Sequence, residues 1–146
     1  MTGFTTPTLR LRERDWRAIV GHCYDGLPNE ACGVFAGHLR GDGTPDGKVD
    51  AVYLTDNSDQ SALTYTVDSK GMLRALRDAE GRGLELFGVF HSHTHTDAFP
   101  SPTDVAKAPD PTWIYAIVSL KHDAPVLRAY RIVDGTVAEV AVELDR

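Results

Sequence analysis

The sequence predicts an α/β (α+β) fold built on a mixed sheet. The prediction rests on about seven short apolar or alternating runs, two amphipathic helical stretches interleaved with them, and an Asp-Gly turn between the last two runs. At 146 residues the chain fits one domain, 1–146, long enough to bury roughly 68–70% of its unfolded surface. The alternation Leu9-Arg10-Leu11 opens the pattern. Trp16, Ile19, Val20, Cys23 and Leu27 then recur at the spacing of one helical face, and Gly26 and Pro28 end that helix. Residues 31–37 are apolar and bracketed by turn residues, so they read as a strand. Residues 40–47 (RGDGTPDG) are a loop by composition.

Residues 49–54 and 64–67 read as further strands, joined by the polar connection 55–61. A second helix is expected over 69–82, with Met72, Leu73, Leu76 and Ala79 facing inward and Gly83 just past its end. The nearly continuous apolar run 84–90 marks a central strand covered on both faces, and 113–120 is a second such strand. Residues 126–133 and 136–144 flank Asp134-Gly135, a strong type I′ hairpin signal.

Composition narrows the function. The chain is 42% hydrophobic and 25% charged, near the globular average. Lys plus Arg is 15 against 21 Asp plus Glu, a net charge of −6, which gives no general pull toward nucleic acid or anionic lipid. No apolar run approaches the ~20 residues of a membrane span. The N-terminal stretch lacks the apolar segment of a signal peptide. Cys23 and Cys32 form neither a disulfide framework nor a CxxC pair, so a reducing cytoplasm is the expected compartment.

The chemistry concentrates at the end of the central strand, in His91-Ser92-His93. Residues two apart on a strand share a face, so both imidazoles can converge on one metal ion. Ser101-Pro102-Thr103-Asp104 reads as a helix start, with Ser at the N-cap, Pro at N1 and an acid at N3. Folded back over the strand end, Asp104 can supply a third ligand. Two histidines and a carboxylate with an open fourth position suit catalytic zinc. Taken alone, an HxH pair is more often two ordinary polar residues, and Ser-Pro-x-Asp far more often only a cap. The joint string is far more specific than either half.

That string resembles the JAMM motif of the MPN (Mov34/PAD-1-like) zinc metallopeptidases, with Glu30 in the Pro-Asn-Glu-Ala-Cys-Gly-Val segment matching the motif's upstream glutamate. The resemblance runs from about Leu9 to Val142. It looks closest to small bacterial members acting on ubiquitin-like sulfur carrier proteins, of the actinobacterial carrier–cysteine peptidase type. It implies an MPN/JAMM-like mixed, mostly antiparallel sheet flanked by two main helices, plus a short helix after the metal-site loop. It also implies one Zn²⁺ per chain held by His91, His93 and Asp104, Glu30 as the proton-transferring base, and Ser101 as oxyanion donor. Ser92, on the opposite strand face, would support the site. The implied partner is a carrier with a Gly-Gly tail, from which cysteine or a short peptide is released, in cysteine biosynthesis. Nucleic acid and membrane are not expected as partners, and a homodimer is compatible with the sequence without being specified by it.

Other readings stay open at this stage: a general JAMM isopeptidase, a non-catalytic MPN scaffold, or a DNA-associated protein. The full Glu, His, His, Ser, Asp set argues against a scaffold, and the charge against DNA. Only nine positions separate Asp104 from Trp113, no room for the insertion with which polyubiquitin-specific relatives hold substrate. His95 is expected at the rim near substrate, Cys32 in the core, and His22, His38 and His122 on the surface.

Overall fold

The structure is a computed structural model describing residues 7–146; the first six residues, which begin the polar N-terminal stretch, lie outside the described residues. β1 (Leu9–Arg12) turns directly into α1 (Glu13–Asp25), and β2 (Cys32–Gly37) and β3 (Ala51–Thr55) follow. α2 (Ser69–Gly81) leads into β4 (Glu85–His93), and the short α3 (Pro102–Ala106) connects it to β5 (Ile114–Ser119). β6 (Val126–Val133), β7 (Thr136–Val140) and β8 (Val142–Asp145) complete the chain. Six strands form a sheet in the order β3-β2-β4-β5-β6-β7, and β1 pairs with β8 in a small second sheet. Within the six-stranded sheet only β4 and β5 run parallel, so it is mixed and mostly antiparallel as expected.

Each face of the sheet is covered by a helix. Ile19, Val20 and Cys23 of α1 pack with Phe35, Phe90 and Ala116 on one side. Ala75 of α2 packs with Val34, Val89 and Tyr115 on the other. A register shift between Phe35 and Ala36 bulges β4, which places Phe87 and Phe90 in the same layer. The alternation resumes from there, sending Val89, His91 and His93 to the α2 side and Phe90 and Ser92 to the α1 side. Gly88 is needed because a Cβ there would overlap the Phe35 ring. The histidines thus end a central strand buried over its last seven residues, and β4 and β5 deliver their C-terminal ends side by side.

The secondary structure and helix faces depart from the sequence reading in four places. On α2, Leu73 and Leu76 are 47% and 48% exposed, whereas Ala75 and Ala79 are buried. The helix packs closely through small residues, since a Cβ at Gly71 would sit 3.0 Å from the Thr55 methyl, and the leucines are turned outward. Leu27 lies past the end of α1 and is exposed. Residues 64–67 are no strand; Val67 makes only an isolated bridge to Asn57 within its own loop. The last apolar run divides at Ala141, whose carbonyl accepts from Leu9 N–H at 2.8 Å, and β8 leaves the main sheet to pair with β1. The hairpin stands: Asp134 and Gly135 both have positive φ, as type I′ requires. Gly83 also adopts positive φ, and Leu84 N–H and Gly83 N–H return to Ala79 O and Glu80 O in a Schellman cap. No helix among the described residues is long and apolar enough to cross a membrane.

Candidate active site

His91 and His93 stand two apart on one face of β4, and Asp104 enters from the first turn of α3. The local sequence fixes that turn through a reciprocal capping box. Asp104 N–H donates to Ser101 Oγ at 3.1 Å, and Ser101 N–H donates to Asp104 Oδ2 at 2.9 Å. Because the Ser101 hydroxyl serves as acceptor in this cap, its own hydrogen remains to be donated elsewhere.

The three side chains converge on one point. His91 Nε2 lies 3.2 Å from His93 Nε2 and 3.2 Å from Asp104 Oδ2, and His93 Nε2 lies 3.0 Å from the same oxygen. A tetrahedral zinc with ligands at about 2.0–2.1 Å spaces its donor atoms about 3.3 Å apart. Burial, two imidazole nitrogens and one carboxylate oxygen therefore fit a zinc-sized cation. His93 Nδ1–H donates to Asp97 O at 2.8 Å, which fixes the tautomer that leaves Nε2 free as a ligand atom. The Tyr65 ring stacks on His91 at 4.2 Å between centroids and 18° between planes.

Charge in this pocket is strongly biased. Burial lowers the His91 pKa against the opposing pull of Asp104, favouring the neutral ring a metal needs. At His93 burial also disfavours charge, but the bonds to Asp104 and Asp97 outweigh it and its pKa rises. Burial works against ionised Asp104 too, yet its bonds to both histidines hold its carboxyl far below the usual range.

Glu30 sits just ahead of β2 and is 5% exposed. Its Oε1 is buried with no hydrogen-bond partner among the described residues. Burial raises its pKa to about 7, with the His93 charge opposing and the Asp104 charge adding to the rise. A carboxyl that changes protonation state near neutrality suits proton transfer. Ser92 bridges the two strands from the far face: its Oγ accepts from Ala31 N–H at 2.8 Å, and its own N–H donates to Ala31 O at 3.0 Å.

Other singled-out residues fall away from this point. His95 is exposed and lies outside the His91, His93, Asp104 group. Burial pushes the Cys32 thiol up to about 11, which keeps it un-ionised. His22 is not a surface residue: half-buried, it offers Nε2 to the carbonyls of Cys32 at 3.1 Å and Thr55 at 2.9 Å. Asn57 and Tyr65 touch the site and were not singled out by the sequence. An Asn in a polar connection and a Tyr in an alternating run have no distinguishing spacing.

Comparison with known proteins agrees with the geometry. A family model described as prokaryotic homologs of the JAB domain matches residues 12–133. The chain is 37% identical over 131 residues to a CysO-cysteine peptidase of Mycobacterium tuberculosis, covering 87% of this chain and 84% of that protein. It is 31% identical over 115 residues to a probable TtuB-protein conjugate cleaving protease of Thermus thermophilus, covering 78% and 69%. A solution structure of a Desulfitobacterium hafniense protein superposes with a TM-score of 0.84 at 34% identity, over 94% of this chain and 93% of that one. With a match of that extent laid over the converging histidines and aspartate, the chain belongs to the JAB/MPN family, among its prokaryotic members.

Proposed function

We propose that residues 1–146 form one zinc peptidase domain, acting in the cytoplasm on the bond after the C-terminal Gly-Gly of a ubiquitin-like sulfur carrier, with cysteine or a short peptide released. The observation that carries the reading is the triangle of His91, His93 and Asp104 ligand atoms beside a buried glutamate whose Oε1 has no hydrogen-bond partner among the described residues. The peptidases named among its relatives support the substrate class.

His91, His93 and Asp104 would hold the zinc. When bound, zinc supplies Lewis acidity, polarising the scissile carbonyl and bringing water within reach of deprotonation at neutral pH. Glu30 accepts a proton from the attacking water as the water oxygen bonds to the carbonyl carbon. It then delivers that proton to the leaving nitrogen as the C–N bond breaks; the water's second proton passes from the new carboxylic acid to the amine, so the products are a carboxylate and an ammonium group. Ser101 donates its hydroxyl hydrogen to the oxygen that gains charge, a contact worth about 3 kcal/mol in comparable sites. His93, held by Asp97, and His91, stacked under Tyr65, keep the site rigid.

An extended tail has a route to this site. β3 is an edge strand, and a cleft of about 590 Å³ lies between it and α2, lined by Leu54, Asp68, Gly71 and Asp78. Thr55 at its end pairs with Cys32, which pairs in turn with His91. Main-chain pairing along this edge suits a glycine tail, whose backbone can approach closely. Intact-mass spectrometry of a Gly-Gly carrier extended by one cysteine should record trimming to the Gly-Gly terminus, lost on chelation. Efficient cutting of linked ubiquitin with no trimming of any extended carrier would defeat the substrate assignment.

A further inference from the structure

We propose that Asn57 is a positioning residue, whose amide locks the 56–67 loop to the main chain of Glu30 and thereby fixes where the Glu30 carboxylate stands. The proposal deepens the reading of Glu30 as the proton-transferring base and rests on it.

Glu30 lies just outside the sheet. Strand pairing of β2 begins at Cys32, and Ala31 is tied to Ser92. The Ala31 N–H bond to Ser92 holds one edge of the Glu30–Ala31 peptide, and neither connection engages the Glu30 N–H or its carbonyl oxygen. Its N–H instead donates to Ser61 O at 2.8 Å, and its carbonyl accepts from Asn57 Nδ2 at 2.9 Å. Both bonds therefore go to the 56–67 loop. The side chain offers no anchor at Oε1, which is buried without a partner among the described residues. Its direction is accordingly set from the main chain.

Asn57 is the hub of that loop. Its Nδ2 also donates to Thr64 O at 3.0 Å, and its Oδ1 accepts from the N–H groups of Asp59 and Thr66, both at 3.0 Å. An amide side chain has two donor hydrogens and two acceptor lone pairs, and Asn57 commits all four to main chain. Ser58 N–H to Thr66 O and Asp68 N–H to Asp56 O close the loop behind it. Aspartate at position 57 would keep the two acceptor bonds and lose both donors, setting carboxylate oxygen against the carbonyls of Glu30 and Thr64. It tests the two donor links, to Glu30 and to Thr64, apart from the two acceptor ones.

The test compares wild type, Asn57→Asp and Asn57→Ser. Amide hydrogen exchange of the metal-free chains should record at least tenfold faster exchange at Glu30 in Asn57→Asp, with Thr66, whose N–H keeps its acceptor, and the β4 and β5 amides unchanged. With zinc and a Gly-Gly-Cys carrier, kcat should fall about thirtyfold in Asn57→Asp and less in Asn57→Ser, with KM within threefold and one zinc per chain retained. Unchanged protection at Glu30, a kcat within threefold of wild type, or a loss confined to KM in folded variants would overturn the proposal. The last outcome would make the loop a substrate grip only. A wild type that trims no carrier would defeat the proposed function alone, because the exchange measurement still decides whether Asn57 holds Glu30.

Discussion

Two loops border the site and differ in how they are built. The segment 94–104 carries two of the proposed site groups, Ser101 and Asp104, and its last turn is secured by a capping box that spans four residues. Ser119 Oγ donates to Thr96 O at 2.6 Å and Tyr130 donates to Ala98 O, holding the same segment onto β5 and β6. The 56–67 loop carries none of the predicted ligands or catalytic groups. It acts through Asn57 on the Glu30 main chain, through Tyr65 on the His91 ring, and through Ala62 O, which accepts from Thr94 Oγ1 at 3.4 Å. On the proposed reading, one loop supplies reacting groups and the other holds reacting groups supplied elsewhere.

The largest effect expected on this comparison is at Glu30, the residue the second loop serves. Glu30→Gln should retain zinc and lose turnover by at least 10²–10⁴-fold, since the amide cannot accept the water's proton. Stability moves in the opposite direction. The metal-free wild type keeps Glu30 protonated up to about pH 7, whereas an unfolded glutamate releases its proton near its ordinary pKa of 4.5. The native state therefore holds more protons across that window, and stability falls as pH rises through it. Glu30→Gln escapes this loss and should be more stable than wild type above pH 7, by on the order of 2 kcal/mol. Denaturant melts at pH 5 and pH 8 would measure it; equal stabilities for the two chains at both pH values would break the account of Glu30.

Ser101→Ala tests the loop that carries chemistry. It should lower kcat about 10²-fold through the lost oxyanion donor and cost about 1 kcal/mol as a lost N-cap. A stability loss with kcat unchanged would reduce Ser101 to a cap. Tyr65→Leu tests the supporting loop and should act more weakly, lowering zinc affinity about tenfold with kcat within a few-fold. Competition with a chromogenic chelator would read this. Zinc affinity equal to wild type would leave Tyr65 no role beyond packing.

The same contrast explains what the sequence discloses. His91, His93, Ser101 and Asp104 were legible because strand period and helix capping are local rules that act within a few residues. The central position of β4 was legible from its apolar run. The inward face of α2 was misread because pattern reading favours large apolar residues, whereas Gly71, Ala75 and Ala79 win by allowing close approach to β3. The break at Ala141 passed unseen, since no turn residue marks the change of sheet. Asn57 lies 27 positions from the carbonyl it binds, and no spacing rule links an amide in one loop to a residue two ahead of a strand. Glu30 was reached only by resemblance.

The central claim is that His91, His93 and Asp104 form a zinc site. Elemental analysis of purified, folded protein at neutral pH tests it most directly, with His91→Ala, His93→Ala and Asp104→Ala alongside. One tightly held zinc per wild-type chain, lost in each of the three variants and kept in Glu30→Gln, is the predicted result. A well-folded wild type that takes up no zinc, or variants that keep it, would contradict the account.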